Sequence, residues 1–109
     1  MKTQDELEAI KTTLALTHKM IYTIEIATDE EETEFRTIFL KKFDRACLAA
    51  VQKVASGGDS LKAVEVFLKN TYIGGDDVAE IINDLHMLRS IEGVVIDLIT
   101  VKKASIKKN

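Results

Sequence analysis

Apolar side chains recur along this chain mainly at steps of three and four residues, the spacing that places them on one face of a helix. The first such stripe runs from Gln4 to about Ala27 and is interrupted at Thr17. It consists of Leu7, Ile10, Leu14, Ile21 and Ile24. We predict a first helix over this stretch.

The most regular stripe begins at Phe35 and advances by steps of three and four residues to Val54. Its members are Phe35, Phe39, Phe43, Ala46, Ala50 and Val54. Thr28 or Asp29 can cap such a helix, and the acidic residues that follow complement the positive end of its dipole. We therefore predict a second helix that ends at Gly57 and Gly58.

Two further stripes predict a third and a fourth helix. The third runs from about Asp59 to Tyr72 and carries Leu61, Val64 and Leu68 on one face. The fourth begins at Asp76 or Asp77, because Asp77 and Glu80 have the spacing of a capping box. Its inward residues are expected to be Val78, Ile81, Leu85, Leu88 and Ile91.

These stripes predict an all-α fold, a compact bundle of about four helices with short Gly-Gly-Asp joints. Two segments leave an alternative open, because residues 20–27 and 94–101 are rich in β-branched side chains. If both were strands, they could pair as a two-stranded ribbon on a helical core. The alternative prediction is therefore an α+β fold.

Length and composition are those of one globular domain. The 109 residues, 46% apolar and 30% charged, predict a single helical domain over 1–109, and the short basic tail at 102–109 is expected to fray. The chain has no proline, which favours long helices. Its net charge of −3 disfavours nucleic acid as a partner.

The same composition predicts a cytoplasmic protein. No apolar run approaches the roughly 18 residues of a membrane span, and no charged-then-apolar leader precedes the first helix. The single cysteine, Cys47, lies on a predicted apolar helix face and is interpreted as a buried structural thiol.

One short segment suggests a prosthetic group. The sequence SGGDSLKAVEVFL, from Ser56 to Leu68, resembles the segment of carrier proteins of peptide and polyketide synthesis that presents a phosphopantetheine-bearing serine. That resemblance implies attachment at Ser60, where a helix N-terminus can hold a phosphate. It implies a carrier function as one alternative for this chain.

The rest of the chain favours a simpler interpretation of that segment. The long loop that precedes the glycine pair in carrier domains is missing, because the stripe ending at Val54 leads almost directly to Gly57. The motif also recurs, since GGDSL at 57–61 is echoed by GGDDV at 74–78. Glycine closes one helix and aspartate opens the next, so both motifs are interpreted as helix joints.

A second local resemblance concerns His86. In LHMLRSIEG, His86, Arg89 and Ser90 are similar to the phosphorylated helix of histidine phosphotransfer domains. The resemblance implies a phosphoryl acceptor at His86. The histidine of that family lies on an early helix, whereas only 23 residues follow His86. The position of the family's later glycine is occupied here by Ile96, so this chain departs from the family pattern.

No catalytic or metal-binding pattern occurs in the sequence. His18 has no carboxylate or cysteine at a ligand spacing. We therefore expect no cofactor and no enzyme activity. The prediction is a small, non-catalytic binding protein such as an inhibitor, adaptor or assembly factor, a kind frequent among regulatory and viral proteins.

The expected partner is another protein, and the chain is also expected to self-associate, because the predicted fourth helix is apolar around much of its circumference. The predicted partner-binding residues form an acidic face made of Glu30, Glu31, Glu32 and Glu34.

Overall fold

The computed structural model describes residues 2–28, 31 and 34–107, with side chains in these ranges as far as residue 98. The elements, in chain order, are α1 (Gln4–Ala15), β1 (Ile21–Ala27), β2 (Phe35–Lys41), α2 (Arg45–Ser56), α3 (Ser60–Thr71), β3 (Tyr72–Gly75), α4 (Val78–Ile82) and α5 (Leu85–Lys107). The predicted all-α bundle is therefore wrong. The fold is α+β, the class given by the alternative prediction.

The three strands form one antiparallel sheet in the order β1-β2-β3. Ile24 of β1 lies opposite Ile38 of β2, and Ile38 lies opposite Gly75 of β3. A register irregularity between Phe39 and Leu40 shifts the pairing with β3. β2 is therefore the central strand, and β1 is a seven-residue edge strand.

Helices cover the two faces of the sheet unequally. Helices α3 and α5 pack against one face, and α2 packs against α3. Together they form the main core, whose fully buried side chains include Ile38, Leu40, Phe67, Leu68 and Ile91. On the other face, Ile10 and Leu14 of α1 lie against Gly74. Phe39, only 2% exposed, lies beside α1 on that same face.

The predicted helix from Phe35 is wrong over its first half, because residues 35–41 form β2 and the helix begins only at Arg45. A spacing of four residues returns to the same side of a helix, but as an even number it also returns to the same side of a strand. Phe35 and Phe39 fit both periods. Helix α2 starts where Asp44 accepts a hydrogen bond from the Cys47 N–H at 2.8 Å.

The two segments with a strand alternative, 20–27 and 94–101, have different secondary structures. Residues 21–27 form β1, so the predicted first helix ends at Ala15 rather than Ala27. Residues 94–101 belong to α5, so the predicted ribbon with 20–27 is wrong, and the partner of β1 is β2. The predicted tail is part of the same helix as far as Lys107, and 108–109 lie outside the described residues.

The third predicted helix is confirmed as α3, and Asp59 caps it by accepting a hydrogen bond from the Lys62 N–H at 2.9 Å. Gly58 has the positive φ of 93° expected at such a joint. The GGD at 57–59 is thus a helix joint, as predicted. The fourth predicted helix is divided into α4 and α5, and Asp84 caps the second of these through the Met87 N–H.

The second GGD segment is not a simple joint. Gly74 and Gly75 belong to β3, and only Asp77 acts as a helix cap, accepting from the Ala79 N–H at 2.9 Å. Glu80 does not complete the predicted capping box. Its carboxylate instead accepts a hydrogen bond from Arg36 Nε at 2.7 Å.

Candidate interaction surface

Among the residues that the structure describes, the outer edge of β1 presents backbone groups with no partner strand. The Thr28 N–H donates to the Glu34 carbonyl at 2.8 Å, which makes this a hydrogen-bonded pair of the β1–β2 hairpin. Inward and outward backbone groups alternate along an antiparallel strand. The even-numbered residues of β1, such as Ile24, therefore bond to β2, and the odd-numbered ones point outward. The outward residues are Ile21, Thr23, Glu25 and Ala27.

Within the part of the chain that the structure describes, β1 has β2 as its only neighbouring strand. Ile24 and Ile26, whose backbone groups point inward, are buried at 5% and 3% exposure. Thr23 and Glu25, whose backbone points outward, are exposed. A further strand could therefore reach these backbone groups without disturbing the core.

This edge has few of the features that keep sheet edges from pairing. Natural edges are blocked by proline, inward-facing charge, lysine or a bulge. The chain contains no proline, and β1 contains no lysine. Its pairing with β2 is regular over all seven residues. The only charged side chain of β1 is Glu25, which faces away from the main core.

A groove of about 200 Å³ lies beside the C-terminal half of β1. Its walls come from β1, β2 and α5, namely Glu25, Ile26, Ala27, Phe35, Ser90, Ile91 and Val94. Two apolar side chains in these walls are open to solvent, Phe35 at 44% and Val94 at 38% exposure. They offer apolar contact next to the outward backbone groups of Glu25 and Ala27.

A second groove, of about 190 Å³, opens on the α1 side of the sheet. Thr23 and Glu25 of β1 form part of its floor, and Glu8 and Lys11 of α1 form part of its wall. Helix α1 therefore leaves the α1-side face of β1 partly uncovered. Together, the outer backbone of β1 and the exposed side chains of Thr23, Glu25, Phe35 and Val94 are called the β1 edge surface below.

The predicted acidic face is only partly described. Glu30 and Glu32 lie outside the described residues, and Glu31 is exposed in the turn between β1 and β2. Glu34 is engaged with Arg36, whose Nη1 lies 3.4 Å from its carboxylate. Arg36 also bonds Glu80, and these two carboxylates raise the pKa of its guanidinium. Partner binding by this acidic face stays a prediction.

Ser60 and His86 lie on different elements. Ser60 is the exposed first residue of α3, directly after the Asp59 cap. His86 is half-buried in the first turn of α5, where its carbonyl accepts a hydrogen bond from Ser90 Oγ at 2.9 Å. Arg89 is exposed on the same helix. Attachment of phosphopantetheine to Ser60 and phosphorylation of His86 both stay predictions.

Cys47 lies at 7% exposure in the core, and burial raises the pKa of its thiol. Cys47 also lines a groove of about 150 Å³, together with Lys41, Lys42 and Asn70. Since the thiolate is the reactive form, we expect the folded protein to react with a thiol reagent far more slowly than the denatured protein. A time course of labelling with and without guanidinium measures this, and equal rates would show that the thiol is accessible.

Among residues 2–28, 31 and 34–107, no cluster of three or more histidine, cysteine or acidic side chains could hold a metal ion. Across the same part of the chain, no helix combines the length and the apolar character that a membrane crossing requires.

Sequence reasoning missed the β1 edge surface, although part of its signal was visible. The β-branched side chains of residues 20–27 indicate a strand as one alternative, but the helical stripe that continues from Leu14 predicts a helix over the same residues. Nothing in the local pattern of Phe35 or Val94 indicated that they would meet beside this strand.

In comparisons with known proteins, no family model, no curated protein and no solved structure matches this chain.

Proposed function

We propose that this chain is a small, non-catalytic protein of the cytoplasm that acts by binding another protein chain through its β1 edge surface. One observation carries the proposal: the outward backbone groups of β1 have no partner strand among the described residues, and solvent-exposed Phe35 and Val94 lie beside them.

The physical basis is the addition of a strand to a sheet edge. In this mode of recognition, main-chain hydrogen bonds supply much of the affinity, and pockets for alternate side chains supply specificity. Here Ile21, Thr23, Glu25 and Ala27 would supply the main-chain groups. The groove lined by Phe35 and Val94 would receive a side chain of the added strand.

Charge supports the same assignment. Lysine is the side chain that most often blocks an exposed edge, and none lies in β1. The edge carries one negative charge, at Glu25, which lies in the same groove as Lys11. A protein strand with few acidic residues would meet no strong repulsion at this surface.

Site-directed photo-crosslinking in the source cells tests the proposal. We expect p-benzoylphenylalanine in place of Thr23 to give one discrete covalent adduct, whose second chain is identified by mass spectrometry. The same group in place of Gln52, an exposed residue of α2, is the matched control and should give none. Glu25→Pro should remove the adduct, because it removes one outward N–H and no bond to β2.

Two results would contradict the proposal. The first is an adduct at Thr23 no stronger than the one at Gln52. The second is a Thr23 adduct that persists undiminished with Glu25→Pro, because contact at this position would then not depend on strand pairing.

A further inference from the structure

We propose that the chain bound at the β1 edge surface is a second copy of this protein, joined by antiparallel pairing of the two β1 strands about a two-fold axis at Ile24. This inference rests on the proposed function and specifies its partner. The result would be a continuous six-stranded sheet, formed from the three strands of each copy.

The hydrogen-bonding pattern of β1 selects this axis. Ile24 is the middle residue of the strand 21–27 and directs its backbone groups to β2. With the axis at Ile24, the two Ile24 residues of the dimer face each other as a non-hydrogen-bonded pair, and the pairs on either side of them are hydrogen-bonded. Thr23 then faces Glu25 of the second copy, and Ile21 faces Ala27. All the outward groups of β1 are satisfied.

Side-chain chemistry agrees with the same register. Glu25 lies opposite the neutral Thr23 of the second copy, and like charges directly opposite each other are avoided. An axis at Glu25 would set two carboxylates face to face. On the core side, Tyr22 would lie opposite Ile26, so the apolar layer beneath the sheet would continue across the axis.

Apolar side chains beside the strand can contribute contact area. Stable interfaces bury roughly 800 Å² on each partner, so backbone pairing must be supplemented by side chains. Phe35 of β2 lies opposite Ala27 of β1. The small Ala27 side chain lies between Phe35 and the position that Ile21 of the second copy would occupy. At 44% exposure, Phe35 can pack against that isoleucine. A second Phe35–Ile21 contact follows from the two-fold symmetry.

Analytical ultracentrifugation of the purified full chain across a concentration series gives the first test. We expect a species of twice the 12.2 kDa chain mass. Thr23→Glu, which sets a carboxylate directly opposite Glu25 of the second copy at two symmetric positions, should raise the dimer dissociation constant about tenfold, and Phe35→Ser should raise it several-fold. Gln52→Glu adds the same charge on α2 and should leave the dissociation constant unchanged.

Disulfide trapping tests the register. Paired residues of a hydrogen-bonded pair have Cα atoms about 5.5 Å apart, within disulfide reach, whereas diagonal positions lie about 7–8 Å apart. A mixture of Thr23→Cys and Glu25→Cys chains should therefore form the mixed disulfide in preference to either symmetric one. The buried Cys47 is expected to stay out of the exchange.

The outcomes separate this inference from the proposed function. A chain that remains monomeric at every concentration, or a mixture in which the three disulfides form equally, overturns the pairing at Ile24. If Thr23 crosslinks to a different protein in cells, the second-copy inference fails while the proposed function stands. If Thr23→Glu lowers helical circular dichroism, Glu25→Pro and the disulfide mixture decide the result.

Discussion

Gly75→Ala is expected to destabilise the protein by about 4 kcal/mol and to lower its melting temperature by more than about 15 °C. Gly75 has a φ of 106°, a region that L-residues rarely adopt. A Cβ at this position would lie 2.5 Å from the Thr37 carbonyl oxygen and 2.9 Å from Ile38 Cα. Both atoms belong to the backbone of the central strand, so neither can move without displacing β2.

Two other glycines provide matched controls. Gly58 has a similar φ of 93° but would have no atom within 4 Å of an added Cβ, so Gly58→Ala is expected to cost only about 1–2 kcal/mol. Gly93 lies within α5 and also faces open space, so Gly93→Ala is expected to stabilise the protein by up to about 1 kcal/mol. Chemical denaturation measures all three variants. Equal losses for Gly75→Ala and Gly58→Ala would show that the close approach to β2 contributes nothing.

Asp76→Ala is expected to cost about 3 kcal/mol, because it leaves two backbone donors without their acceptor. At 3% exposure, the carboxylate accepts hydrogen bonds from the Lys2 N–H at 2.7 Å and from the Thr37 N–H at 2.8 Å. The Asp76 N–H in turn donates to the Thr37 carbonyl at 2.8 Å. Asp76 therefore extends the β2–β3 pairing and ties the segment before α1 to the sheet.

The neighbouring aspartate is the control for this prediction. Asp77 is exposed and caps α4, so Asp77→Ala is expected to cost about 1 kcal/mol. Hydrogen exchange should show that Asp76→Ala exposes the Thr37 amide, while Asp77→Ala leaves that amide protected. If the two variants lose equal stability, the buried carboxylate adds no more than a helix cap.

The two Gly-Gly-Asp segments show where reasoning from sequence succeeds and where it ends. At 57–59 the segment joins two helices that are consecutive in the chain, and every hydrogen bond of its cap lies within a few residues. At 74–76 the same three residue types have another role: Gly74 and Gly75 belong to β3, and the buried Asp76 carboxylate accepts two backbone hydrogen bonds. The contacts that define this role come from Lys2 and Thr37, which are 74 and 39 residues away.

The β1 edge surface follows the same division. The β-branched residues of 20–27 indicate that a strand is one interpretation, but no pattern in the sequence identifies β2 as its partner. Pairing with β2 rather than with residues 94–101 decides which edge of β1 remains open. Val94 reaches this edge only because α5 continues through Gly93 and packs Val95 into the core at 2% exposure.

Local patterns by themselves determined α3 with its Asp59 cap and the helical stripe of residues 46–54 within α2, because short-range hydrogen bonds and a single period suffice for these. They also placed a helix start at Asp76 or Asp77, and the structure has it at Asp77. Only the tertiary structure decided that 35–41 is a strand and 94–101 a helix. Phenylalanines four residues apart satisfy both periods, and β-branched residues join a helix when one face is buried. Whether each segment became a strand or a helix depended on the surface it packs against, and that surface is formed by residues from the whole chain.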